Sequence, residues 1–337
     1  MKDNQLISFF KGYSIFTIVI YHFVLNLDIH GILSKAIMFG GTGVHLFIFI
    51  SGYGLYCSYI RKPLDFNSFI IKRLTKIYIP YIIVVLLSFI LANILPIYPI
   101  SLYALSGHVF LYKMFDSSII ESYGGQFWFI STIIQFYFSF HLILYIKKKV
   151  KVQYFIIFGI IISLSWGVLI LFLEKSELRS WNSFYLQYVW EFILGIFVAD
   201  KFKQFEGFNF NRIYYLIAAV IFISIFGLLA IKGGQSGKIL NDIPGFLGYT
   251  SLATYLYKLN FKSVKQFFLY TSKISFSLYL WHVVVILTVK YLLITYFQVG
   301  LSIWYVFIII PISYLISFIY DKLIARLINN VFIKFNL

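Results

Sequence analysis

Lys11 and His22 stand eleven residues apart in an otherwise apolar stretch. On an α-helix, eleven steps of about 100° make three turns plus about 20°, so both side chains face one side, about 16 Å apart along the axis. A fixed ammonium suits a phosphate or a carboxylate, and an imidazole titrating near neutrality suits general-base work on a hydroxyl. A structural account fits the same pair, with Lys11 snorkelling to a membrane surface and His22 hydrogen-bonded inside a bundle. Further polar groups interrupt apolar runs: His45, Glu191, His282 and Lys290. Glu191 and His282 lie deepest, and a buried carboxylate there needs a proton or a cationic partner. His45 opens its run close to an interface, and Lys290 near the end of its own is expected to snorkel. Ser51 precedes Gly52 without a nucleophile-elbow context and reads as a close-packing pair. His108 and His141 carry little signal. The histidines show no i,i+4 pairing or local cluster, and the only cysteine, Cys57, lies in an apolar run. No metal site and no disulfide framework are expected.

The elements that must position these residues follow from composition. Of 337 residues, 61% are hydrophobic and 12% charged, against about 45–50% and about 25% in soluble domains. Mean hydropathy is +0.88. A single soluble core of this length cannot hide that much apolar surface, which excludes a secreted globule, a cytosolic enzyme and a disordered chain. Helical spans of about 20 residues are expected over 6–27, 41–60, 78–95, 127–146, 152–173, 183–200, 213–231, 243–259, 274–296 and 300–321. The runs do not alternate as outer-membrane strands do. The fold class is therefore an all-α integral membrane bundle of about ten transmembrane helices, forming one domain over 1–337. The first span is too long for the core of a signal peptide and no small-x-small site follows it, so it is read as uncleaved. The stretch 66–79, with Lys72, Arg73 and Lys76, reads as an interfacial helix feeding the third span at Pro80. The loop 96–126 holds Pro96, Pro99, Gly107, Gly124 and Gly125 and reads as a structured lid or re-entrant segment.

The net charge of +16 would suggest nucleic acid in a soluble protein. Here it sorts by topology. With the N-terminus inside, twenty of the 28 Lys and Arg fall on inner segments, among them Lys2, Arg61, Lys147, Lys203, Lys258 and Lys334. Six fall outside (Lys35, Lys113, Lys175, Arg179, Lys232, Lys238), and Lys11 and Lys290 lie within spans. That asymmetry is the positive-inside pattern and predicts both termini cytoplasmic. The inner face would also attract anionic lipid, and no nucleic-acid partner is expected.

Five segments carry a family resemblance. FFKGYSIFTIVIYHF (9–23) resembles a first-span basic-x10-His motif. GVHLFIFISGYGL (43–55), KRLTKIYIPY (72–81), FWFISTIIQFYF (127–138) and ISFSLYLWH (274–282) follow in order. Together they resemble the membrane-bound acyltransferase family 3, the O-acyltransferases of cell-surface glycans. Two positions depart from its pattern: Lys11 replaces the usual Arg, keeping the charge without the bidentate fork, and His45 stands where an acid is common.

The resemblance implies transfer of an acyl group, acetyl or alternatively succinyl, from cytoplasmic acyl-CoA to a hydroxyl of a surface or lipid-linked glycan. His22, Lys11 and Glu191 would be the catalytic group. Lys11, Lys72, Arg73 and Lys76 would hold the acetyl-CoA phosphates. His45, Ser51, Trp128 and His282 are further candidates. Trp128, Tyr21 and Tyr123 would pack on sugar rings or form an interfacial aromatic belt. The expected location is the plasma (inner) membrane, multi-pass. A glycan or lipid-linked-sugar exporter is the alternative, and it would call for internal repeats and broken helices, neither of which the sequence shows.

Overall fold

A backbone in hydrocarbon must satisfy its own hydrogen bonds, and an α-helix does so within one segment. The computed structural model describes residues 4–27, 29, 38–202 and 208–335, the last five without side chains, and no strand occurs among them. Lys2, Lys35 and Lys203, and the side chain of Lys334, all used in the charge sorting, lie outside the described residues. In chain order the helices are α1 (Gln5–Leu25), α2 (Gly43–Arg61), α3 (Phe66–Ala92), α4 (Leu102–Val109), α5 (Trp128–Lys149) and α6 (Val152–Phe172). Then follow α7 (Val189–Lys201), α8 (Arg212–Lys232), α9 (Gly234–Leu240), α10 (Asp242–Leu259), α11 (Lys262–Lys273), α12 (Ser275–Phe297) and α13 (Val306–Phe335).

Eight of these segments are long and apolar enough to cross a membrane, in keeping with the expected bundle of about ten. The other two expected spans are also helical, and only the first of them is interrupted. Residues 183–200 divide into a 3-10 turn, Tyr185–Tyr188, and α7. Residues 243–259 fall within α10. The stretch 66–79 is not a separate interfacial helix. It runs unbroken through Pro80 to Ala92, capped by Asp65, whose carboxylate accepts the Ser68 N–H at 3.1 Å. The proline ring removes one helical donor, while the Pro80 carbonyl accepts the Tyr320 hydroxyl at 2.6 Å, so a tertiary bond supports the helix at that point.

The chain divides into two compact units. The first comprises residues 1–21, 29–63 and 142–275. Its tightest seam is α2 against α7. A Cβ on Gly52 would collide with the Phe192 carbonyl, and one on Gly195 with the Phe49 carbonyl, so glycine at both positions lets the backbones touch. Gly12 of α1 meets the Phe268 backbone of α11 in the same way, and Phe9, Tyr13 and Phe16 close around Phe268 edge-on. Ser51 donates to the Phe47 carbonyl one turn back at 2.8 Å, which agrees with its reading as a packing residue.

The second unit comprises residues 22–28, 64–141 and 276–337. Here α12 and α13 pack through Val285, Ile286 and Ile309 around Phe23. The 96–126 loop is ordered as expected: α4 and two 3-10 turns fold over a small core of Tyr98, Ala104, Ile119 and Tyr123.

Candidate active site

In the second unit His22, near the C-terminal end of α1, meets His282 of α12. The His282 ring is fully buried, and its Nε2 lies 3.2 Å from His22 Nδ1. Its Nδ1 lies 2.9 Å from the Leu278 carbonyl oxygen, one turn back on the same helix. A carbonyl only accepts, so His282 Nδ1 carries the proton and its Nε2 carries the lone pair. That lone pair accepts the His22 Nδ1–H, which makes Nε2 the basic nitrogen of the His22 ring. A backbone carbonyl thus sets two tautomers in series, leaving His22 with the ring form a general base needs.

The end of α1 is held in place from α12. Lys290 donates to the Asn26 carbonyl at 3.2 Å, and Asn26 Nδ2 donates to the His22 carbonyl at 2.9 Å. Lys290 thus reaches the chain just beyond α1. Its ammonium meets a carbonyl just past the C-terminus of α1, where a cation is favoured. Lys11 lies on the same unbroken α1.

The first unit holds a half-buried histidine in a different setting. His45 Nδ1 donates to Glu191 Oε1 at 2.7 Å, and its Nε2 lies 3.5 Å from Asp242 Oδ1. Gln187 Nε2 donates to Asp242 Oδ2 at 2.8 Å. Both ring nitrogens face carboxylate oxygens, an arrangement that suits the imidazolium. Glu191 is fully buried, and its Oε2 has no hydrogen-bond partner among the described residues. Gln187 and Asp242 also line an otherwise mostly apolar cavity of about 170 Å³ with Trp190 and Ile239. The partner that the sequence demanded for Glu191 is thus His45, with Asp242 as a third member.

The 96–126 loop contributes a third polar group. Lys113 is buried and donates to the carbonyls of Ser122 (2.8 Å) and Gly124 (2.6 Å). Burial pulls its ammonium down to about 7, with Glu121 opposing. Burial, and then the charge of Lys113, push His108 down to about 2. His108 is therefore neutral, with Nε2–H donating to the Ser122 carbonyl at 2.9 Å and Nδ1 accepting the Tyr81 hydroxyl at 2.8 Å.

A family model described as an acyltransferase domain, Acyl_transf_3, matches residues 4–322. The chain belongs to membrane acyltransferase family 3. No curated protein and no solved structure matches it.

In this acyltransferase the remaining candidates fall as follows. Lys72, Arg73 and Lys76 all lie on α3. The Arg73 guanidinium sits over the Phe69 ring at 5.5 Å, and its Nε is buried without a hydrogen-bond partner among the described residues. Trp128 opens α5 beside Phe129. Asp242, Gln187, Lys113 and Gln126 escaped the sequence reading. Asp242 sat at the edge of a weak span and Lys113 in a polar loop. Gln126 was in view, directly before the FWF segment, but its burial was not legible.

Proposed function

We propose that this acyltransferase moves an acyl group, most simply acetyl, from cytoplasmic acyl-CoA to a hydroxyl of a cell-surface or lipid-linked glycan, with both termini cytoplasmic in the plasma membrane. Membership of an acyltransferase family favours group transfer over export. The observation that carries the chemistry is the relay from the Leu278 carbonyl through His282 to His22. His22 Nε2 takes the proton of the acceptor hydroxyl as its oxygen attacks the thioester carbonyl. The carbon–sulfur bond breaks, and the imidazolium returns the proton to the departing thiolate, so the reaction is neutral overall and His22 is restored. Lys72, Arg73 and Lys76 on α3 supply three cations for the donor phosphates. The unpartnered Arg73 Nε supports that role.

The test uses inside-out membrane vesicles supplied with labelled acetyl-CoA. Label on glycan that depends on His22 is the expected result. Arg73→Ala is expected to raise the acetyl-CoA concentration needed for half-maximal transfer by about tenfold, the value of one charge-assisted hydrogen bond. Undiminished labelling by the His22→Ala protein would overturn the assignment of the base. Glycan crossing the vesicle membrane without acquiring label would overturn the transfer reading.

A further inference from the structure

The cavity of the first unit has walls that select its occupant. It runs along the last turns of α6 and is closed by the turn Tyr185–Tyr188, α7, α9 and the start of α10. Its volume is about 170 Å³ and its wall is nearly all apolar. An apolar cavity of ~150 Å³ stays dry and takes a hydrocarbon guest. Leu164 and Val168 in this wall are also exposed, Val168 by 66%. Both belong to α6, which is long and apolar enough to cross a membrane. The cavity therefore continues into a surface that faces hydrocarbon, and a guest enters it from the bilayer.

One polar atom of the wall calls for a particular group. Gln187 is only 5% exposed. Its Nε2 donates to Asp242 Oδ2 at 2.8 Å and to the Ile239 carbonyl at 3.4 Å, which fixes the amide orientation. The Oε1 on the other side has no hydrogen-bond partner among the described residues. It lies over Gly167 of α6, 3.9 Å from where a Cβ would stand, and both residues line the cavity. The other polar side chains of the wall are engaged. Ser163 donates to the Leu186 carbonyl and accepts the Trp190 N–H, and Asp242 lies between Gln187 and His45. An amide oxygen only accepts, so the missing partner is a donor. Leaving it unpaired is costly. Water is scarce within a membrane, so the donor comes on the guest.

Depth and charge narrow the guest further. Gly167 stands five residues before Phe172, the last residue of α6, about 8 Å along the axis. Among the described residues no Lys or Arg lines the cavity, whereas Asp242 does. A phosphate drawn to that depth beside a carboxylate would be an unpaired charge in hydrocarbon. A single hydroxyl carries no such penalty.

We propose that this cavity binds a neutral membrane lipid with one free hydroxyl, of the diacylglycerol class. The hydroxyl donates to Gln187 Oε1, and one chain follows Leu164 and Ile160 along α6. The site lies wholly within the first unit and does not depend on the acyl-transfer reading.

Full-length protein in nanodiscs of phosphatidylcholine, which has no free hydroxyl, tests it. A diacylglycerol with a photoreactive diazirine in one chain labels the protein, and mass spectrometry locates the label. Unlabelled dioleoylglycerol, its O-methyl ether and dioleoyl phosphatidate compete. Saturable label is expected on residues 160–171 or 239–243. Dioleoylglycerol should displace it at about fivefold lower mole fraction than the ether, the worth of one net hydrogen bond, and phosphatidate should compete no better than the ether. Gln187→Leu removes the acceptor and should bring alcohol and ether within twofold of each other. Leu164→Trp fills the cavity without touching the Gln187–Asp242 bond. It should abolish the saturable label, and with the wild-type comparison it decides the matter if the leucine variant does not fold. Equal competition by alcohol and ether in the wild type, or by alcohol and phosphatidate, would overturn the proposal. So would an unchanged preference in folded Gln187→Leu protein, or saturable label that persists in Leu164→Trp protein.

Discussion

Two half-buried histidines in this protein have opposite partners. His22 is bonded to a neutral imidazole, itself held by a carbonyl. His45 stands between two carboxylates, Glu191 and Asp242. An imidazole that must take a proton and give it back works best when the charged form is not locked in by a nearby anion. One clamped by carboxylates is better suited to holding charge, binding three helices through ionic bonds. We therefore propose the first pair as the chemical centre, while the second cluster joins α2, α7 and α10.

The largest expected effect breaks the comparison at its root. His22→Ala should lower acyl transfer by about 10²- to 10⁴-fold, the span of a general base, while expression and helicity stay near wild type. His45→Ala should act on the yield of folded protein instead. Equal loss of transfer per folded molecule in both variants would erase the distinction between the two histidines.

Next in size is the ionic cluster. Glu191→Leu leaves His45 beside Asp242 alone and should destabilise the protein by about 3–5 kcal/mol, the cost of breaking a buried pair by removing one partner. Reversible unfolding in detergent measures it. Transfer per folded molecule should stay within a few-fold of wild type. A catalytic loss without a stability loss would move Glu191 into the chemistry, the role that the sequence first suggested for it.

The third effect separates base from positioning residue. His282→Leu removes the acceptor for the His22 Nδ1–H and should slow transfer about 10- to 100-fold, as losing the partner that orients an active histidine does. His282→Gln restores an acceptor oxygen and should recover part of the rate. A merely structural role for His282 would give similar rates in the two variants.

How much of this was legible in the sequence follows from the same residues. The apolar runs fixed the helices because a helix is the only open-ended structure that satisfies its backbone in lipid. Lys11 and His22 were visible because their spacing is local to one helix. The 260-residue separation of His22 and His282 is invisible to periodicity, and so is the choice of His45 rather than His22 as the partner of Glu191. Pro80 misled for a related reason. Its local preference is for the first turn of a helix, but the Tyr320 hydroxyl on its carbonyl is a tertiary bond and supports the helix across it.

The smallest effect lies in the 96–126 loop and contrasts a buried base with the two half-buried histidines. Among the described residues Lys113 has no anion bonded to it; two carbonyls accept from it, and a neutral amine has two N–H groups to give. Its folded pKa of about 7 lies below the ordinary 10.5. Between those values the opened loop binds more protons than the closed one, so raising the pH favours the closed form. Below about 7 both forms carry the charge, and the burial penalty is felt in full. Above about 10.5 both are neutral, and no further gain accrues. The change is at most tenfold in the opening equilibrium per pH unit, because one proton is involved. Hydrogen exchange across Lys113–Phe127, corrected for the intrinsic rate, should therefore show about threefold stronger protection at pH 8.0 than at pH 7.5. Lys113→Met should remove that dependence while keeping the loop closed. Protection that stays flat with pH in the wild type, or persists with the same slope in the methionine variant, would show that Lys113 is not the titrating group.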